Sequence, residues 1–201
     1  MEQWRKFLSE GVADLEPIST GKWSAEDAKQ EWVEEIESSF DEGDEYIEQR
    51  WPGLTREKIK KDYPFLETPE EFAQALSAAE TVSLTPGEMK DIHNHAQVYD
   101  IIEMYENGAT EEEVEEKMME DFSGKTTDPN AEGETFSKEG SYQRWVEHFK
   151  DSDEAPKPPI VMKLPDGRYA HVGGQTRQSG ALTNKKIIPY AVLSAEVEEK
   201  E

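Results

Sequence analysis

Apolar residues recur at three- and four-residue intervals through the first two-thirds of the chain, the spacing that lines one face of an α-helix. Ala28, Trp32, Val33, Ile36 and Phe40 form one stripe, and Phe72, Ala75, Leu76 and Ala79 form a second. Met89, Ile92, Ala96, Tyr99, Ile102 and Tyr105 make the longest, which Asn107-Gly108 ends. Val114, Met118 and Phe122 mark an acidic helix stopping near Gly124, and Tyr142, Trp145, Val146 and Phe149 mark one more. These stripes read as core faces. The helix starts are equally legible. Thr68, Thr85 and Thr110 each stand three residues before a glutamate (Glu71, Glu88, Glu113), the spacing at which hydroxyl and carboxylate satisfy the N–H groups a helix start leaves unpaired. Pro69 and Pro86 take the first helical position, where a missing N–H costs nothing. Ser24 with Asp27 repeats the signal in weaker form.

The period changes near the C-terminus. PIVMKL, a PDG turn and RYAHV predict a β-hairpin, followed by a glycine turn, a short helix and the strand KIIPYAVL. Gly124 to Gly140 is polar, with Gly, Asp-Pro and Asn, and reads as a loop or mobile insertion. The expected fold class is therefore α+β. An acidic helical region (1–80) precedes a domain with a small mixed β-sheet core (81–195), which carries a helical insertion and the loop 124–140. Residues 196–201 form a charged tail.

Charge sharpens this division. The 201 residues carry a formal charge of −24, yet Pro156–Ala195 holds six basic residues against Asp166 alone, about +5. The remainder carries about −29. Such a surface repels phosphates, so nonspecific nucleic-acid binding is not expected. The acidity serves solubility, or it lets acidic helices imitate DNA or dock on a basic protein partner. Hydrophobic and charged residues each make up 34%, which implies a modest core with solvated arms. The absence of cysteine excludes disulfides, zinc–thiolate sites and thiol nucleophiles. No signal-peptide core and no run of about 18 apolar residues is present, so a cytoplasmic protein without a membrane partner is expected.

Most motif candidates fail on spacing. SGKTT (Ser123–Thr127) lacks the Walker A glycine five residues before Gly124, where Met119 stands. Asp121–Glu132 has the length of a calcium loop, but Lys125 takes a ligand position and the turn glycine is missing. His93 and His95 are two apart, so on a helix their rings point about 200° from each other. Asp91 joins one of them in a site only if the helix breaks there. No metal site is expected.

The glycine turn survives. A strand ending at Val172, then Gly173-Gly174-Gln175, then a helix from about Thr176 aims backbone N–H groups at an anion, and the helix dipole favours its charge. Gly173 and Gly174 admit close backbone approach, Thr176 supplies a hydroxyl for capping or for a phosphate oxygen, and Arg177 a forked cationic contact. If Arg177 stands exposed in the free protein, removing it changes folding stability by no more than about 0.5 kcal/mol. Lys163, Arg168, His171 and Lys185 are candidate edges of the pocket. His171 and Asp166 are the candidate catalytic bases.

The segment from Pro158 to Leu193 resembles the ParB/sulfiredoxin-like domain. Asp166-Gly167, Gly174, Arg177, Ala181 (one place late) and Ile188-Pro189 stand in for its Asp-Gly turn, its Gly-x-x-Arg-x-x-Ala helix start and its last strand. The resemblance implies binding of a nucleotide or another phosphorylated small molecule at Gly173, Gly174, Gln175, Thr176 and Arg177. A nucleoside triphosphate with Mg2+ is the implied cofactor, and phosphotransfer or nucleotide hydrolysis the implied chemistry, ahead of nuclease activity. The sulfiredoxin branch needs a cysteine where Gln175 stands, and partition proteins carry a glutamate and second arginine that this turn lacks. The alternative is a non-catalytic acidic adaptor or DNA mimic on a retired scaffold of this kind. The opening MEQWRKFLSEG resembles that of proteins encoded by large marine tailed phages, which would place the chain in a host cytoplasm.

Overall fold

The computed structural model describes residues 15–123 and 138–195. The expected loop falls on 124–137, outside the described residues; residues 138–140 already belong to a helix. The opening residues 1–14 and the tail 196–201 also lie outside them.

A strap precedes the first helix: β1 (Glu16–Pro17) and β2 (Ser19–Thr20). Helix α1 (Ala25–Trp32) then runs through a π turn (Val33–Glu37) into α2 (Ser38–Asp41). Next come α3 (Asp44–Arg50), α4 (Arg56–Asp62), a 3-10 turn (Pro64–Leu66), α5 (Pro69–Ala78) and β3 (Glu80–Val82). The second half begins with α6 (Pro86–Lys90), α7 (Ala96–Glu106), α8 (Glu111–Phe122) and α9 (Lys138–Asp151). It closes with β4 (Glu154–Ala155), β5 (Ile160–Lys163), β6 (Tyr169–Gly173), α10 (Gln175–Thr183), β7 (Lys186–Ile187) and β8 (Tyr190–Leu193).

Four strands form the central sheet in the order β3-β8-β5-β6, with β8 and β5 parallel and the outer pairs antiparallel. Alternation along each strand assigns its two faces. Ile160, Met162, Ala170, Val172, Ala191 and Leu193 meet the layer of α1–α5. Val161 and Tyr190 meet the layer of α6–α10. The architecture is mixed α and β, two helical layers around one sheet. The boundary expected at residue 80 falls inside β3, and the helices before it pack on the same sheet as the chain after it. Among the described residues, no helix is long and apolar enough to cross a membrane.

The caps act as their residue types require. Ser24, Thr68, Thr85 and Thr110 each accept the N–H three residues on, and the boxes at Thr85 and Thr110 are reciprocal. Three expected elements differ. The long stripe from Met89 to Tyr105 is two helices, because Asn94 takes a left-handed φ of 58° and His93 leaves the helix to bridge β6, donating to Tyr169 O and accepting from His171 N. KIIPYAVL divides at Ile188-Pro189: β7 pairs with β1, and β8 with β3 and β5. Val33 is 45% exposed, because the π turn that it opens rotates the stripe.

Candidate functional site

The hairpin of β5 and β6 feeds α10 as its residue pattern requires. Leu164 closes the tight turn, and Gly167 adopts the positive φ of 88° that a side chain would strain. At the other end, a register shift between Ile160 and Val161 sets Gly173 opposite Ile160. Gly174 then takes φ 82°, ψ 22° as the N-cap of α10. The strand-to-helix turn is therefore built where Gly173-Gly174 stands. Gly174, Gln175 and Thr176 are half-buried, and the helix beyond them is buried through Thr183.

The condition of an exposed Arg177 is not met. The residue is 3% exposed. Its guanidinium carbon lies 5.4 Å from the Trp23 ring and 5.5 Å from the Trp145 ring, a cation between two indole faces. The Glu31 carboxylate on α1 approaches Arg177 Nη2 at 4.0 Å. Among the described residues, Arg177 Nε has no hydrogen-bond partner. Burial pushes the Glu31 carboxyl up from its ordinary range, and the guanidinium beside it opposes that. Burial likewise pushes Arg177 down, with Glu31 opposing.

The two glycines make this arrangement possible. A Cβ on Gly173 would stand 2.4 Å from Glu31 Oε1. One on Gly174 would stand 2.5 Å from Arg177 Nη2 and 2.9 Å from Pro159 Cα. The guanidinium thus folds back over the start of its own helix, and the carboxylate lies against the residue before it. The space that glycines open for an anion holds side chains of this chain.

The other expected residues divide by location. Thr176 does not cap α10, which has no side-chain cap; its hydroxyl pairs with that of Ser141 at 3.2 Å. Gln175 bonds the Gln97 side chain. His171 is buried and stacks on His95, with ring centroids 4.7 Å apart. Asp166 lies at the hairpin turn, at the far end of β6 from Gly173, on the order of 15 Å away at strand rise. There it accepts from the Arg168 backbone N–H at 3.0 Å and Nε at 2.7 Å, contacts that hold its carboxyl below the ordinary range. Lys163 and Arg168 share that end, and Lys185 follows the C-terminus of α10 beside Glu111, at 3.8 Å. The structure gathers Gly173, Gly174, Gln175, Thr176 and Arg177, and it does not bring Asp166, Lys163, Arg168 or Lys185 to them.

Sequence reasoning missed Glu31, Trp23, Trp145 and Arg50. Arg50 Nη2 donates to Val172 O at 3.2 Å and lies 3.6 Å from Glu35, bracing the strand just before the turn. Glu31 carried a signal: it stands three residues after Ala28, on the face that the apolar stripe buries.

His93 and His95 do lie where the helix breaks, as a shared site would need. His95 is instead buried against Tyr190, with Nε2 and the phenol oxygen 2.9 Å apart, and burial pushes its pKa down to about 3. His93 Nε2 meets Gln49 O at 2.9 Å. Among the described residues, no three His, Asp or Glu side chains are grouped to hold a metal ion. A cleft of about 680 Å³, lined by Phe65, Gln74, Glu80, Lys163, Tyr169 and Val192 among others, runs across the sheet from β3 to β6, away from the glycine turn.

Protein-family models, curated proteins and solved structures contain no match to this chain.

Proposed function

We propose that the protein binds a phosphorylated ligand, a nucleotide as the first candidate, at the turn Gly173-Gly174-Gln175-Thr176-Arg177 on a ParB/sulfiredoxin-like core. One observation carries the reading. An arginine is buried at a helix N-terminus, folded back over a left-handed glycine, and its Nε has no hydrogen-bond partner among the described residues. A buried cation held so loosely costs stability unless an anion completes it. The half-buried backbone of Gly174–Thr176 offers the approach, and a phosphate there meets both the helix dipole and the guanidinium. If the chain is catalytic, phosphoryl transfer or nucleotide hydrolysis with Mg2+ fits, because positioning and charge dominate that chemistry. Asp166 is too distant to serve as its base at this turn.

A thermal-shift screen of nucleotides with and without Mg2+ tests the reading, since a ligand of the folded state raises Tm. Replacing Arg177 by lysine should then weaken binding about tenfold or more, because an ammonium does not reproduce the forked contact. Equal affinities for folded wild type and Arg177→Lys would overturn it.

A second reading has one observation in its favour: Glu31 already supplies a negative charge to Arg177, as a finished structural pair would. In that case the acidic outer helices are the functional surface, meeting a basic protein. Salt-sensitive co-purification of a basic protein, with no nucleotide response, would support it.

A further inference from the structure

We propose that Glu31 is a built-in competitor for the anion position of the glycine turn, so that a phosphate group reaches Arg177 only by displacing the Glu31 carboxylate. The inference rests on the phosphate-site reading above and specifies how that site is regulated. Its basis is where the carboxylate sits. Glu31 Oε1 lies where a Cβ of Gly173 would point, and the same oxygen stands 4.0 Å from Arg177 Nη2. An internal anion therefore occupies the space between the glycine backbone and the guanidinium.

The internal anion fits poorly. A well-formed arginine–carboxylate pair is bidentate, with N–O distances of about 2.7–2.9 Å. Here the approach is 4.0 Å, and Nε stays bare among the described residues. A phosphate brings more acceptor oxygens and more charge to the same donors. The carboxylate is also mounted on an irregular helix. The π turn Val33–Glu37 begins two residues after Glu31, and such turns inside helices are frequent at functional sites.

The surroundings supply a route and a restoring force. Lys157 lies 4.4 Å from the Trp23 ring and 3.7 Å from Asp27, a basic group at the rim that attracts an incoming polyanion. Asp27 and Glu34 repel the Glu31 carboxylate, whereas Lys157 and Arg177 hold it. Glu35 also acts on Arg177, from the π turn. Displacement thus moves one carboxylate out of a buried position and puts another anion in, leaving the burial of Arg177 unchanged.

The probe is inorganic pyrophosphate, titrated by calorimetry into wild type, Glu31→Gln, Glu31→Asp and the double variant Glu31→Gln/Arg177→Lys. If Glu31 fills the position nine-tenths of the time, removing its charge raises apparent affinity about tenfold. The expected order is Glu31→Gln tightest, Glu31→Asp between, wild type weakest, with the double variant losing the gain. Glu31→Asp keeps the buried charge while shortening its reach, so it serves if Glu31→Gln does not fold. Equal affinities across the Glu31 series, with Arg177 dependence retained, would overturn the competitor and leave the phosphate site standing. No binding by any folded protein would overturn both. Binding by Glu31→Gln alone, with none to wild type at millimolar pyrophosphate, would make Glu31 a fixed structural partner and also overturn both.

Discussion

Two arginine–carboxylate pairs stand at opposite ends of β6, and they differ in almost every respect except chemistry. Arg168 and Asp166 close the hairpin turn at 2.7 Å with side chains 57% and 48% exposed. Arg177 and Glu31 meet at 4.0 Å with side chains 4% and 11% exposed. The shorter contact is the less consequential one. Water solvates both members of the exposed pair whether or not they touch, so their attraction is largely offset. The buried pair has surrendered that solvation, and each member depends on what the protein supplies. The supply at Arg177 is two indole faces and one distant carboxylate, which is why the same pair is both a structural weak point and the candidate site.

Removing one partner of the buried pair should therefore give the largest effect. Glu31→Gln preserves volume and leaves Arg177 without a counter-ion, and arginine cannot discard its proton. Breaking such a pair costs about 3–5 kcal/mol. Urea unfolding at neutral pH measures it. A change no larger than that of a surface substitution would mean the pair is already solvated, and the contrast between the two ends of β6 would collapse.

Burial without any charge partner sharpens the comparison next. His95 is buried against Tyr190 and stacked on His171, and its pKa falls to about 3 by desolvation alone. The unfolded chain binds a proton at His95 below about pH 6.5, whereas the folded protein does not until about pH 3. The contribution is thus fully present above 6.5 and is lost as pH falls through that window. Between pH 7 and pH 5 the wild type should lose about 2 kcal/mol relative to His95→Gln. Glu31 works in the opposite sense, since its raised carboxyl favours the folded state as pH falls, so the paired variants are compared at each pH. Parallel stability profiles for the two proteins would show that the ring is hydrated or protonated in the folded state.

The packing of α9 against α10 beside Arg177 is the third test. Gly180 on α10 lets α9 approach so closely that a Cβ would stand 2.6 Å from Trp145 Cβ and 2.9 Å from Val146 N. Gly180→Ala must separate the helices, at about 1–3 kcal/mol for overpacking, partly offset by about 1 kcal/mol of helix propensity. The expected net loss is up to about 2 kcal/mol, accompanied by a change in tryptophan emission as Trp145 shifts from Arg177. A stabilised variant would mean that this contact is not close in solution.

Local signals were legible, and long-range ones were not. The caps, the hairpin and the strand–glycine–helix passage depend on residues within a few positions of each other, and each formed where its residues stand. Nothing local announces that Asn94 breaks a stripe whose two halves pack on one core. Nor does a single strand pattern reveal that Pro189 divides KIIPYAVL between two sheets. Glu31 and Arg177 are 146 residues apart, so their meeting is a property of the packed layers. The sequence placed Arg177 at the turn but left its exposure open. Burial by α1 and α9 is what changes its chemistry.

The smallest effect belongs to the other end of β6. Asp166→Asn removes the charge that faces Arg168 but keeps an oxygen able to accept the Arg168 backbone N–H, the contact that shapes the turn with Gly167. Asp166 and Arg168 are both about half exposed, so water replaces what the substitution removes. The urea midpoint should stay within experimental error of the wild type, and added salt should leave the two proteins indistinguishable. Pyrophosphate affinity should not change either, because the turn lies at the opposite end of β6 from Gly173. A loss of stability approaching that of Glu31→Gln would make the exposed pair structural and reverse the ranking of the two ends. A loss of pyrophosphate binding in the folded Asp166→Asn protein would move the anion site away from the glycine turn.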